Sequence, residues 1–170
     1  PLHECAHAWV AYRMGDSTAK NRGRLTLNPL PSIDPIGALC ILLFGFGWAK
    51  PVPVDSRYFT KNAKAKMALT ALAGPVSNLL AAFVGALIFY LIAFLTGYST
   101  SVIMSYVATF FLYYITININ LAVFNLIPLP PLDGSRILAA FLPDRMVYQY
   151  YRYQNIIMLA VFVLLFTGVL

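Results

Sequence analysis

Two histidines and a glutamate near the start of the chain could support metal-dependent chemistry. They lie in the run His3-Glu4-Cys5-Ala6-His7, an H-E-x-x-H pattern. On a helix, side chains four positions apart share a face, so both imidazoles can reach one metal ion while Glu4 stands beside its open position. A Zn²⁺ ion held by three protein groups activates water, and a nearby carboxylate can accept the proton. The pattern therefore predicts a zinc hydrolase site with Glu4 as the general base.

The distribution of these residue types strengthens the prediction, because H-E-x-x-H alone also occurs by chance. The chain has 170 residues with two histidines and one glutamate, and all three lie in this pentapeptide. The alternative is a pair of structural histidines, hydrogen-bonded on a buried helix face. That alternative does not explain why a chain that otherwise lacks these residue types concentrates them here.

Two histidines need a third protein ligand, and the five aspartates are the remaining candidates. Four lie in loops near turn or proline signals: Asp16, Asp34, Asp55 and Asp144. Asp133 instead follows the prolines of residues 128–131, which cannot continue a helix and so leave it on unwound backbone at the end of an apolar run. An aspartate before Gly134 is also a common turn or capping residue. The need for a third ligand favours Asp133.

The elements that must position these residues are strongly apolar. Hydrophobic residues make up 60% of the chain and charged residues 11%, against roughly a quarter charged in a soluble domain. Apolar runs that reach or approach the roughly 20 residues of a bilayer crossing cover residues 67–96, 102–126 and 156–170. We therefore expect an all-α polytopic membrane protein, a bundle of about four to five transmembrane helices.

Residues 1–170 are expected to form a single domain, and the sequence is interpreted as a fragment whose first membrane helix lacks its amino-terminal part. Between the first and second helices, residues 24–27 alternate polar and apolar side chains, which predicts a short strand or hairpin. Residues 36–47 are apolar but short for a crossing, which predicts a re-entrant segment bordering the active site.

The net charge of +6 comes from basic residues spread over three loops without a nucleic-acid-binding motif, so no nucleic-acid partner is expected. The loop of residues 97–101, between the two central apolar runs, carries no charge. By the positive-inside rule, the basic loops face the cytoplasm and this loop faces outward.

Asn78 brings a polar side chain into the second apolar helix, shortly after Gly74 and Pro75. Proline distorts a helix, and glycine lets another backbone approach closely. Intramembrane amides usually face the bundle interior. The local sequence leaves open whether Asn78 only joins two helices or takes part in function.

Taken together, these motifs resemble the site-2 protease family of intramembrane zinc metalloproteases, in a short form without a PDZ or CBS domain. The resemblance covers nearly the whole chain and rests on three regions in order: His3-Glu4-Cys5-Ala6-His7, Ala73-Gly74-Pro75-Val76-Ser77-Asn78, and Asn125-Leu126-Ile127-Pro128 with Leu132-Asp133-Gly134.

The resemblance implies one zinc ion per chain bound by His3, His7 and Asp133, with Glu4 as the base. It implies that Asn78 holds the substrate or the oxyanion, and that residues 47–54 lie beside the substrate path. The expected partners are a single-span membrane-protein substrate and the lipid bilayer, in a prokaryotic cell membrane with the site toward the cytoplasm. The oligomeric state is left open.

The competing functional class is a membrane metal transporter or metal-handling protein, in which the same side chains would form a transit site. Transit needs a polar route on both sides of the site, and the outer halves of the central helices offer little beyond Ser, Thr and Tyr. An inactive relative acting as a scaffold would lack a ligand or the base, and neither is missing.

Overall fold

The computed structural model describes residues 1–44, 47, 49–98 and 100–166, and their regular structure is helical. Eight α-helices follow one another in this part of the chain: α1 (Leu2–Arg13), α2 (Thr18–Asn21), α3 (Pro35–Phe44), α4 (Ala63–Leu95), α5 (Val102–Leu126), α6 (Asp133–Phe141), α7 (Asp144–Arg152) and α8 (Gln154–Phe166). Two short 3₁₀ turns, Leu30–Ser32 and Ser56–Tyr58, lie in the connections. The predicted all-α class is confirmed for the described residues.

Helix α4 is the element against which three other helices pack. It has 33 residues, which makes it about 50 Å long at 1.5 Å per residue. It begins after Asn62, whose φ of 52° is a left-handed conformation that asparagine adopts more readily than most residues. Helices α1, α5 and α6 all contact it. It therefore packs against both helices that carry the predicted metal ligands.

Helices α4 and α5 are long and apolar enough to cross a membrane, judged by length and composition. Most of their large side chains are exposed, including Phe83 and Leu95 on α4 and Ile103 and Tyr106 on α5. A core helix of a water-soluble protein would bury such residues, so these faces fit a lipid environment. The other helices of the described residues are shorter than a crossing, and a total of about four to five transmembrane helices stays a prediction.

The strand predicted at residues 24–27 is wrong, since these residues form irregular backbone. The alternation has a different cause, because Leu25 packs against a small cluster of Ala8, Ala19 and Val52 while Leu27 remains exposed. No neighbouring strand is present among the described residues to pair with this stretch. A period of two was therefore not enough to specify a strand.

The segment that contains α3 leaves and returns to one place. An isolated antiparallel bridge joins Ile33 to Ala49, and the Lys50 N–H donates to the Ser32 carbonyl at 2.9 Å. Helix α3 has 10 residues, or about 15 Å, which is half the thickness of a bilayer core. This return supports a re-entrant segment, although its insertion into a membrane stays a prediction. Residues 45, 46 and 48 lie outside the described part of the chain.

Candidate metal centre

Helix α1 places His3 and His7 side by side. Their Nε2 atoms lie 3.0 Å apart, and their rings meet edge to face with centroids 4.6 Å apart. His7 is buried and His3 is half-buried. The four-residue spacing therefore has the predicted effect, and both histidines direct the same ring nitrogen toward one point.

Helix α6 brings Asp133 to the same point. Asp133 is the first residue of this helix, directly after the proline-rich break that follows α5. Its Oδ2 lies 3.1 Å from His3 Nε2 and 3.2 Å from His7 Nε2. Gly134 permits this close turn, because a Cβ there would lie only 2.5 Å from the Ile127 carbonyl oxygen. The turn residue and the predicted third ligand are thus the same residue.

The three side chains fit a zinc ion. Their ligand atoms all lie within 4.8 Å of one another, and a tetrahedral ion with bonds of about 2.0 Å separates its ligands by about 3.3 Å. Within the described residues, the buried Oδ2 of Asp133 has no hydrogen-bonding partner beyond the two ring nitrogens beside it. Two imidazoles and one carboxylate, with a place left for water, form a common catalytic donor set for zinc.

One face of α4 forms the wall behind the histidines. Thr70, Gly74 and Asn78 follow one another at four-residue intervals and so share this face. The His7 Nδ1–H donates to the Thr70 carbonyl oxygen at 2.7 Å. This bond fixes the proton on Nδ1 and leaves Nε2 free as a ligand. The Asn78 amide lies 3.2 Å from His3 Nδ1.

Glu4 stands beside this cluster without belonging to it. It is half-buried, and its Oε2 accepts a hydrogen bond from the Val52 N–H at 3.2 Å. A carboxylate that adjoins the metal ligands but is not one of them is suited to proton transfer. The contact also brings the extended residues 50–55 over the side of α1 that carries Glu4.

Two further charged side chains hold residues 50–55 through the backbone. The buried Arg24 guanidinium donates to the Lys50 carbonyl. The fully buried Asp16 accepts from the Asp55 N–H at 2.7 Å. At the same end, hydrogen bonding to Arg57 lowers the pKa of the Asp55 carboxyl. The segment is therefore tied at its beginning, middle and end.

These anchors are not predicted by the sequence. The sequence indicates an ordinary loop residue at Asp16, although Asp16 also accepts from the Thr18 N–H at 2.8 Å. An aspartate two residues before a threonine is a recognisable turn signal. That signal predicts the local turn, but it does not predict the bond to Asp55, 39 positions further along the chain.

The structure brings all the predicted site residues into one place. His3, His7 and Asp133 converge, Glu4 follows His3 on α1, and Asn78 faces His3. Their binding and catalytic roles stay predictions.

The sequence of this chain is similar to those of known proteins. The model for Peptidase family M50 matches residues 92–168, a stretch that includes Asp133. A protein of Bacillus subtilis (strain 168) named "Putative zinc metalloprotease YwhC" is 48% identical over 145 residues, covering 84% of this chain and 64% of that protein. The chain is thus similar to peptidase family M50 and to a relative named as a putative zinc metalloprotease. The predicted resemblance to the site-2 protease family is thereby confirmed.

Two more relatives, from mycobacteria, are both named "Putative zinc metalloprotease Rip2". The Mycolicibacterium smegmatis protein is 34% identical over 139 residues, covering 78% of this chain and 50% of that protein. The Mycobacterium tuberculosis (strain H37Rv) protein is 33% identical over 138 residues, with the same coverage of 78% and 50%. The chain thus spans between half and two thirds of these relatives' length. No solved structure matches it.

Proposed function

We propose that this chain carries the catalytic site of an intramembrane zinc metalloprotease, which hydrolyses peptide bonds in or near transmembrane segments of membrane proteins. The observation that supports this most is the convergence of His3, His7 and Asp133 within 4.8 Å, with Glu4 next to them. These residues lie on helices packed against α4, which is long and apolar enough to cross a membrane.

In this proposal His3, His7 and Asp133 hold one zinc ion per chain. Zinc, when bound, supplies a Lewis acid that polarises a carbonyl and lowers the pKa of water to about 7. Glu4 accepts the proton of the attacking water and then gives it to the leaving amine nitrogen, since it is the nearest acid after the first transfer. The Val52 N–H donates to the Glu4 carboxylate and orients it for both transfers.

The proposed substrate is a single-span membrane protein that reaches the site from the bilayer. Residues 50–55 border its path, because Val52 contacts Glu4 directly. The basic loops next to the site favour a cytoplasmic location by the positive-inside rule, and the three relatives described above are bacterial. A metal transporter is the alternative that must be tested.

The test is the substitution Glu4→Gln in purified protein, with zinc content and cleavage of a single-span substrate followed together. Glu4 contacts Val52 and is not one of the clustered ligands. Glu4→Gln should therefore retain zinc, while hydrolysis should fall by roughly 10² to 10⁴-fold, the range typical of lost general acid–base catalysis.

Asp144→Asn is the matched control, since Asp144 is an exposed carboxylate paired with Lys64 rather than with any site residue. It should change neither zinc content nor hydrolysis. A wild-type protein that binds zinc, cleaves no member of a panel of single-span substrates, and loses zinc on Glu4→Gln would overturn the protease proposal in favour of transport.

A further inference from the structure

Asn78 differs from Asn118 and Asn125 on the other long helix. Asn118 and Asn125 are half-buried, and each donates its amide to a carbonyl of its own helix, at 2.9 Å in both cases. Asn78 is only 3% exposed and reaches across to another helix, where its amide nitrogen Nδ2 lies 3.2 Å from His3 Nδ1. It is therefore in contact with a predicted metal ligand and not with its own backbone.

The chemistry of the imidazole decides which atom of the amide faces His3. The His3 Nε2 is directed at the cluster with His7 and Asp133. An imidazole that binds a metal through Nε2 carries its proton on Nδ1, and that N–H needs an acceptor. The Asn78 side chain offers one acceptor, its carbonyl oxygen, and the two ends of an amide are assigned from such hydrogen-bond requirements. With a metal on Nε2, the amide must therefore be turned over, so that Oδ1 takes the place of Nδ2 beside the ring.

We infer that Asn78 is a positioning residue for the metal ligand His3, accepting the Nδ1–H bond that sets the tautomer and orientation of the ring. The inference rests on the proposed zinc site. It gives His3 the same support that the Thr70 carbonyl gives His7 at 2.7 Å, so one face of α4 holds both imidazoles. This role differs from holding the substrate or the oxyanion, which the family resemblance implied for Asn78.

Two substitutions separate the roles. Asn78→Leu removes the acceptor and should weaken metal binding about 10- to 100-fold, as loss of an outer-shell partner does. Asn78→Asp keeps an acceptor toward Nδ1–H and should bind the metal as tightly as the wild-type protein. If Asn78 instead served only the substrate or the oxyanion, neither substitution would change metal affinity. Affinity is measured by Co²⁺ titration followed by absorption, with Zn²⁺ competition.

Asn118→Leu is the matched control, because it removes an α5 amide that, among the residues the structure describes, bonds only to the Tyr114 carbonyl of its own helix. It should leave metal affinity unchanged. Unaltered Co²⁺ affinity in a folded Asn78→Leu protein would overturn the inference while leaving the protease proposal intact. If the Asn78 variants change metal affinity as expected but the wild-type protein cleaves no substrate, the inference about Asn78 stands and the protease proposal is overturned.

A measurement that does not depend on the leucine variant folding is available, because the chain has only two histidines. In the metal-loaded protein, ¹⁵N resonances of labelled histidine should show both rings protonated at Nδ1. Asn78→Asp should move the His3 Nδ1–H resonance downfield and leave that of His7 in place, since a carboxylate accepts a stronger hydrogen bond. An unmoved His3 resonance would contradict the assignment.

Discussion

At the residue scale, the site depends on a glycine as well as on its ligands. Gly74 lies between Thr70 and Asn78 on the face of α4 that holds the imidazoles. A Cβ at this position would lie 2.5 Å from Cε1 and 2.6 Å from Nε2 of His3, and also against Nε2 of His7. The histidines can approach α4 only because residue 74 has no side chain, so the backbone and side-chain acceptors of α4 reach both rings.

Gly74→Ala should therefore abolish tight zinc binding without unfolding the protein. The added methyl group occupies the space of both ligand rings, while alanine itself favours a helix over glycine by about 1 kcal/mol. Zinc content after purification tests the loss of zinc binding, and the thermal unfolding midpoint in detergent tests whether the protein stays folded. Gly85→Ala is the control on the same helix, where a Cβ meets the Tyr114 ring instead. Equal zinc loss in both variants would contradict this account.

At the scale of elements, residues 50–55 behave as a segment fixed by charged side chains rather than by a sheet. Arg24 binds the carbonyl of Lys50, and Asp16 accepts the N–H of Asp55. Buried charges of this kind are costly unless they are paired or hydrogen-bonded, and here they compensate backbone groups that have no strand partner. The segment that contacts Glu4 is thereby held in place from outside the metal site.

Asp16→Ala should lower the free energy of unfolding by about 3 kcal/mol, because it leaves the N–H groups of Thr18 and Asp55 without their acceptor. Asp16→Asn retains one acceptor oxygen and should lose less. Denaturant or thermal unfolding in detergent measures both. Asp55→Asn is the control, since within the described part of the chain this carboxylate pairs only with the exposed Arg57, and its substitution should have little effect. A loss no greater in Asp16→Ala than in the control would show that the anchor is unimportant.

At the scale of the whole molecule, two long apolar helices support short helices that carry the chemistry. The α4 helix contacts α1 and α6, so a helix able to cross a membrane gathers the ligands from both ends of the sequence. The bridge between Ile33 and Ala49 returns the α3 segment to its starting point. The exposed apolar side chains of α3, among them Leu42 at 82%, fit lipid better than water.

The topology predicts that Ile33→Cys and Ala49→Cys are labelled from the same side of the membrane, because the backbone joins these residues directly. Thr100→Cys, in the loop between α4 and α5, should be labelled from the opposite side. The experiment uses a membrane-impermeant maleimide on oriented vesicles, in protein with Cys5 and Cys40 replaced by alanine. Labelling of Ile33→Cys and Ala49→Cys from different sides would mean that the segment crosses.

Much of the site followed from local spacing in the sequence. The four-residue interval between His3 and His7 fixes their common face through the helical period alone. The scarcity of other donors in the chain predicts Asp133 as the third ligand. The apolar runs predict α4 and α5 with nearly their observed ends, since a bilayer imposes both length and composition. In contrast, the alternation at residues 24–27 predicted a strand that does not form.

The residue types that could hold a metal, and the apolar character of the two long helices, can be seen in the amino-acid sequence alone. Which atoms meet depends on the fold. The Thr70 carbonyl selects the free nitrogen of His7 from 63 positions away, and Asn78 reaches His3 from 75 positions away. Such bonds depend on how α1 packs on α4, which no local period encodes. The family resemblance implies that Asn78 holds the substrate or the oxyanion, whereas the packing sets its side chain against the ring of His3.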